Sequence, residues 1–246
     1  AALLEDLARA RGRLGDFEGA ADLLRRRREA ALASNDLAGV AATERRLGLI
    51  RFWSGRHADA LDHYRRGLES AAQAGDRELH AHLKLAEGDC LLELGRAAEA
   101  RECIHEALQT AESLEDQGLV ARGHLALLLL HTWAGPPEQA WVHGERTLEL
   151  AQELGDRGLC CTGHWALTIL AGLTGNPVAT ARHLDACTQL AEDLKSPLHR
   201  LRAAELAVEY SGRTGDWAAG IARGERAIAS ARALRQRALL ARLLVW

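Results

Sequence analysis

The sequence predicts an all-α fold, an α-solenoid of six 40-residue helix-turn-helix repeats plus a partial seventh. Three columns of residues predict it. Gly15, Gly55, Gly95, Gly135, Gly175 and Gly215 recur at one constant interval without a slip. Ala31, Ala71, Ala111, Ala151, Ala191 and Ala231 keep the same interval, and Ala20, Ala60, Ala100 and Ala140 form a third column that Thr180 and Gly220 continue. Registered columns at one period are the mark of a repeated supersecondary unit. Composition agrees. The chain of 246 residues has only 4 Pro and 4% aromatic residues, and Ala, Leu and Arg, all strong helix formers, carry the bulk.

The columns punctuate two helices per repeat. The Gly column closes each first helix, because Gly enters the left-handed backbone of a helix C-terminus at little steric cost. The next position holds Asp16, Arg56, Arg96, Pro136, Asn176 and Asp216, some of them good N-caps, with Pro137 and Pro177 at the first helical position. Asp59, Glu99 and Gln139 fall where a capping-box partner belongs, although Arg56 and Arg96 are poor caps. Asp36, Asp76, Asp116, Asp156 and Ser196 cap the first helix of the following repeat. First helices are expected near 38–54, 77–94, 117–134, 157–174 and 197–214. Second helices are expected near 17–34, 57–74, 97–114, 137–154, 177–194 and 217–234.

Helices of about 17 residues, roughly 25 Å long, joined by very short turns must pack antiparallel. No repeat encloses a core of its own, so stacking buries the apolar faces. The repeats are expected near 1–35, 36–75, 76–115, 116–155, 156–195 and 196–235, with the partial one at 236–246, as a single domain. An apolar C-terminal segment, ALLARLLVW, starts a helix that no second helix covers, and there is no initiator Met. The expectation is a fragment of a larger protein, with an uncovered edge available for self-association.

Leu47-Gly48, Gly55 and Asp59-Ala60-x3-Tyr64 in the second repeat, with Gly88, Gly95 and Glu99-Ala100-x3-Ile104 in the third, resemble the tetratricopeptide repeat. The resemblance covers essentially the whole chain and implies a right-handed superhelix. The longer period, forty instead of the usual thirty-four, and the missing Pro at the end of the second helix are departures. With the Gly-Asp boundaries (Gly75-Asp76, Gly155-Asp156) they are similar to the repeat region of bacterial LuxR-type, maltose-activator-like signalling ATPases. In those proteins the array serves as inducer sensor or partner dock. HEAT and armadillo arrays are the fold-level rival.

On each first helix a stripe including Leu47, Ile50, Leu94, Leu127, Leu130, Leu167 and Leu170 is expected to face its own second helix as core. A second stripe faces the hollow if the family geometry holds. It is polar in the first repeat (Glu5, Arg9, Gly12, Arg13) and in the sixth (Glu205, Glu209, Gly212, Arg213). Between them it carries Arg45, Leu49, Phe52 and Trp53, then Leu85, Asp89, Leu92 and Glu93. Leu125, Leu129, Thr132 and Trp133 follow, then Trp165, Ile169, Gly172 and Leu173. Two readings stand. Arg45, Leu49, Phe52, Trp53, Leu85, Asp89, Leu92, Leu125, Leu129, Trp133, Trp165 and Ile169 line an apolar groove for a ligand or partner, or long helices simply bury more of themselves.

Other constellations point to structure. Gly123-His124 and Gly163-His164 recur one repeat apart, where the family packs a large residue between helices. His63, Cys103, His143 and His183 share a column on successive second helices, too far apart at about 8–10 Å per helix to converge on one metal. The five cysteines show no C-x-x-C spacing and read as reduced, buried small residues. Arg25 to Arg28, with Arg9, Arg11 and Arg13, read as a solvated basic face. His105-Glu106 is not followed by the second His of a zincin, and no Gly-rich phosphate loop or nucleophile elbow appears. A net charge of −3 argues against a nucleic-acid binder, and no apolar run is long enough for a membrane span.

The expectation is a cytoplasmic, non-enzymatic recognition module with no catalytic residue, metal or cofactor. It is read as the sensor or docking region of a bacterial multidomain transcriptional or signalling regulator. Its partner would be a protein, a peptide or a small-molecule inducer, with no direct nucleic-acid or membrane contact. The alternative is a constitutive interaction scaffold for a partner helix or peptide.

Overall fold

The computed structural model describes residues 2–13, 16–234, 239–240 and 243–244, the side chains of residues 2, 9 and 13 excepted. Among the described residues there are twelve α-helices and no strand. They run α1 (Ala2–Arg13), α2 (Phe17–Ala33), α3 (Leu37–Trp53), α4 (His57–Ala74), α5 (Arg77–Glu93) and α6 (Ala97–Ser113). The second half holds α7 (Gln117–Ala134), α8 (Pro137–Glu153), α9 (Arg157–Leu173), α10 (Pro177–Asp193), α11 (Pro197–Thr214) and α12 (Trp217–Ala233). The expected partial seventh repeat at 236–246 lies mostly outside the described residues, as does Gly15.

The caps explain where the helices begin. Asp36, Asp76 and Asp156 accept the backbone N–H three residues on, at 2.8 to 2.9 Å. Asp116 does the same for Leu119 at 2.9 Å, and Ser196 more loosely for His199 at 3.5 Å. Arg56 and Arg96 make no such bond. Each pairs instead with the acid three residues on: Arg56 with Asp59, and Arg96 Nε with Glu99 Oε1 at 2.7 Å. An ion pair over the first turn, with the acid at the positive end of the helix, replaces the missing cap.

Left-handed residues explain where the helices end. Gly55, Gly95, Gly175 and Gly215 have φ between 68° and 78°. Gly135 does not, and it alone of the column precedes a proline, Pro136, which restricts the backbone before it. At the other turn the left-handed residue is Gly75 or Gly155, but also Asn35, Glu115 and Lys195, with φ of 50° to 55°.

The helices pack as consecutive antiparallel pairs, α1 on α2, α3 on α4, α5 on α6, α9 on α10 and α11 on α12. The chain falls into two compact units, residues 1–119 and 120–246. In the first, α2 also packs on α3 and α4 on α5, and α3 reaches α5 directly. In the second, α9 reaches α11 in the same way. First helices therefore make a layer of their own within each unit. Ala20, Ala21, Leu24 and Leu47 form a core cluster of the first unit, and Leu128, Ala140, Ala166, Leu167 and Leu170 one of the second. Leu127 and Leu130 are buried as the stripe requires. Leu94, expected with them, is the C-cap of α5 and 38% exposed.

Small residues let the helices approach. A Cβ on Gly48 would lie 2.3 Å from the Tyr64 ring, and one on Gly144 would lie 2.4 Å from Leu167. The expected Gly48 and Tyr64 positions are thus two halves of one contact. No helix among the described residues is long and apolar enough to cross a membrane.

Candidate functional site

In the first unit the expected surface residues sit on α3 and α5. Leu49 is 47% exposed, and Arg45, Phe52, Trp53, Asp89 and Leu92 are half-buried. Phe52 meets Trp53 edge-on at 5.4 Å and His57 at 5.1 Å, a small aromatic cluster at the C-terminal end of α3. Leu85, expected on the same surface, is buried and belongs to the core. Its column fixes an angle about the helix axis, and the neighbouring helices decide the depth. Asp89 makes no side-chain hydrogen bond or ion pair among the described residues. Burial and, less strongly, the neighbouring Glu93 push its carboxyl up to about 7. Beneath it, burial, helped by the neighbouring Asp89, holds the Tyr64 hydroxyl protonated.

In the second unit Trp133, at the end of α7, is 63% exposed, and Leu173 at the end of α9 is 51% exposed. Leu125, Leu129 and Trp165 are half-buried and pack against the Leu128–Leu167–Leu170 core, and Ile169 is half-buried. Trp165 also touches the next cluster, Cys161, Cys187, Ala191 and Ala203. The Arg202 guanidinium stands 4.2 Å above its ring, a cation–π contact. The Trp165 indole N–H is buried without a hydrogen-bond acceptor among the described residues.

The polar ends of the stripe are tied into ion pairs. Glu5 bridges Arg27 at 3.2 Å and Arg46 at 2.5 Å, while Arg9 and Arg13 lie outside the described side chains. Arg213 binds Glu209 at 2.6 Å and the Gly172 carbonyl at 2.8 Å. It thereby reaches over the one place on α9 where the stripe has no side chain.

The two histidine columns, separate in the sequence, meet in the structure. His124 faces His143 with Nδ1 atoms 3.0 Å apart, and His164 faces His183 at 2.9 Å. The equivalent place in the second repeat holds Glu44 and His63 at 2.6 Å. Glu44 is buried, which by itself would raise its pKa. The hydrogen bond with His63, the Arg66 charge and the hydrogen bond from Arg28 hold it below the usual carboxylate range. Each of these repeats thus places its own polar pair where first and second helix cross, and the histidines partner one another inside a hairpin rather than along the array. The three pairs are separated by the same sequence interval, and that shared interval was the signal that could have found them.

The five cysteines are free and buried. Cys161 and Cys187 bring their Sγ atoms to 3.9 Å between α9 and α10. Burial raises the Cys90 and Cys103 thiols to about 12, helped by Asp89 and Glu87 respectively, so neither is a nucleophile near neutral pH.

A tetratricopeptide repeat family matches residues 39–113. A search among curated protein sequences finds no match. Among solved structures, a Rap protein complexed with competence and sporulation factor superposes with a TM-score of 0.73 at 13% identity, over 98% of this chain and 79% of that one. Aspartyl phosphate phosphatase F from Bacillus subtilis gives 0.69 at 12% identity, over 98% and 67%. A signal transduction ATPase with numerous domains and a tetratricopeptide repeat sensor, from Pyrococcus horikoshii, gives 0.67 at 11% identity, over 98% of this chain but 36% of that one. These likenesses show the fold. The repeat columns, the paired helices and these comparisons together give the chain a tetratricopeptide-like helical-repeat fold, with the family match itself at residues 39–113.

Proposed function

We propose that the chain is a non-enzymatic recognition module, the cytoplasmic sensor or docking region of a bacterial multidomain regulator. In this reading it takes a protein or peptide partner, or a small-molecule inducer, on the first-helix layer of either unit. The observation that carries the reading is Trp133. A tryptophan 63% exposed at the end of a Leu-rich helix, with Leu129 one turn before it, leaves a large ring in water that folding alone does not require. In the first unit Leu49, Phe52 and Trp53 offer the same chemistry, with Asp89 as a polar anchor for a donor on the partner. Two solved neighbours support the reading, one complexed with competence and sporulation factor and one named for its tetratricopeptide repeat sensor. Binding would act by differential affinity for two states of the parent regulator.

A constitutive scaffold for a partner helix is the second reading, favoured by the tetratricopeptide match itself. Tryptophan fluorescence and thermal shift against panels of short peptides and small metabolites test the surface. A ligand that binds wild type and loses about tenfold or more in Trp133→Ala or Leu49→Ser supports it. Ligands that bind both variants as well as wild type remove it. In the parent protein, an adjoining output activity that changes with the ligand selects the sensor over the scaffold.

A further inference from the structure

The first turns of α5 carry Glu78 and, four positions on, His82, on one face of the helix. Asp116, which caps the start of α7, comes to the same place from the far side of the α5–α6 hairpin. Its Oδ1 accepts the Leu119 N–H at 2.9 Å, which completes the cap and leaves the other carboxylate oxygen for a second task. Ligand atoms of Glu78, His82 and Asp116 all lie within 4.8 Å of one another, with His82 and Asp116 half-buried and Glu78 exposed. A tetrahedral ion with bonds of about 2.1 Å needs its ligands about 3.4 Å apart, a distance these side chains reach by small rotations. Arg77, the nearest cation along the helix, is turned away to Ser113 Oγ at 2.9 Å.

The repeats supply an internal comparison. At the positions of Glu78 and His82 the second, fourth and fifth repeats have Ala38 and Ala42, Gly118 and Arg122, and Gly158 and Thr162. The helices of the second and fifth repeats are capped by Asp36 and Asp156 all the same. Two carboxylates and an imidazole are therefore not needed to build this junction.

We propose that Glu78, His82 and Asp116 form a binding site for a zinc-class divalent cation, with water completing the coordination. One imidazole with two carboxylates disfavours magnesium and calcium, which take all-oxygen shells. Both carboxylates sit at helix N-termini, where the aligned backbone dipoles favour the negative charge that a metal ligand must carry. The ion ties the start of α5 to the Asp116 cap, and its water position is open to a further ligand.

The test is calorimetric titration of the chelator-treated protein with Zn²⁺, with cobalt as a spectroscopic probe. One equivalent bound with a raised Tm, and a cobalt spectrum without sulfur-to-metal charge transfer, are expected. His82→Ala, Glu78→Gln and Asp116→Asn each weaken that equivalent about tenfold or more. Asn still caps a helix, so Asp116→Asn folds as wild type does and separates metal loss from misfolding. A double variant, His124→Gln with His143→Gln, keeps the full equivalent. Absence of zinc binding, a thiolate signature in the cobalt spectrum, or binding unchanged in all three variants overturns the proposal.

Discussion

His183 donates its Nδ1 proton toward His164 Nδ1 across 2.9 Å, because its other nitrogen is already taken by the Arg182 guanidinium at 3.0 Å. Neither ring has room for a second proton without setting cations against each other. Burial, then His164 and Arg182, accordingly lower His183 to about 4, and burial and Arg182 lower His164 as well.

Stability should therefore depend on pH in a stated direction. Unfolded histidines take up protons near pH 6.5, His183 resists until about 4 and His164 is also held below its ordinary value, so the pair's contribution is complete above 6.5. It is lost as pH falls from there to about 4. The His183 part of the loss is about 3 kcal/mol. Urea unfolding across that range measures it, and His183→Gln should flatten the slope. An equal slope in the variant assigns the acid sensitivity elsewhere.

How much of this was legible in the sequence follows from what periodicity encodes. A column fixes an angle about a helix and a place in the repeat, so the Asp caps and helix ends came through to within a residue, as did the left-handed Gly55, Gly95, Gly175 and Gly215 but not Gly135. It does not encode which columns meet across a hairpin. Glu44 with His63 and His164 with His183 are separated by one common interval, and they touch only after two helices cross. Nor does it encode depth: Leu85 and Leu125 share a column, yet one is buried and the other half-buried. The Glu78–His82–Asp116 group was hidden for the same reason, since its third member reads as a cap.

Gly48→Ala should destabilise by about 1–3 kcal/mol, because its new methyl would meet the buried Tyr64 ring at 2.3 Å in a packed first unit. Gly12→Ala is the control. It too lies in a helix, but nothing stands within 4 Å of the added carbon, so the better helix former should stabilise by about 0.5–1 kcal/mol. Chemical denaturation of both variants checks the contrast, and similar losses would show that helix packing is not what selects glycine at 48.

Asp89→Asn should stabilise the protein at pH 7 and above. Its folded pKa of about 7 lies above the unfolded value, so the stability linked to its proton is complete below about pH 4 and lost as pH rises toward 7. The amide carries no charge to desolvate, and the difference from wild type should grow across that interval and then level off. A difference that is constant with pH would mean that Asp89 is ionised in the fold at little cost.

Glu115 and Lys195 hold the left-handed turn position at φ 55° and 50°, where Gly75 and Gly155 stand in the neighbouring repeats. A side chain with a Cβ costs about 1–2 kcal/mol in that region, and glycine returns part of this through its greater freedom when unfolded. Glu115→Gly and Lys195→Gly should each therefore raise stability by about 0.5–1 kcal/mol. Gly75→Ala and Gly155→Ala should lower it by a similar amount, although the space around both glycines is open. Asn35, at φ 55°, should gain less from the same exchange, because a short amide tolerates left-handed backbone better than Glu or Lys. Melting temperatures of the five single variants give the order directly. If the glycine exchanges at 115 and 195 are neutral while the alanine exchanges are costly, contacts of the longer side chains hold those two turns rather than backbone preference.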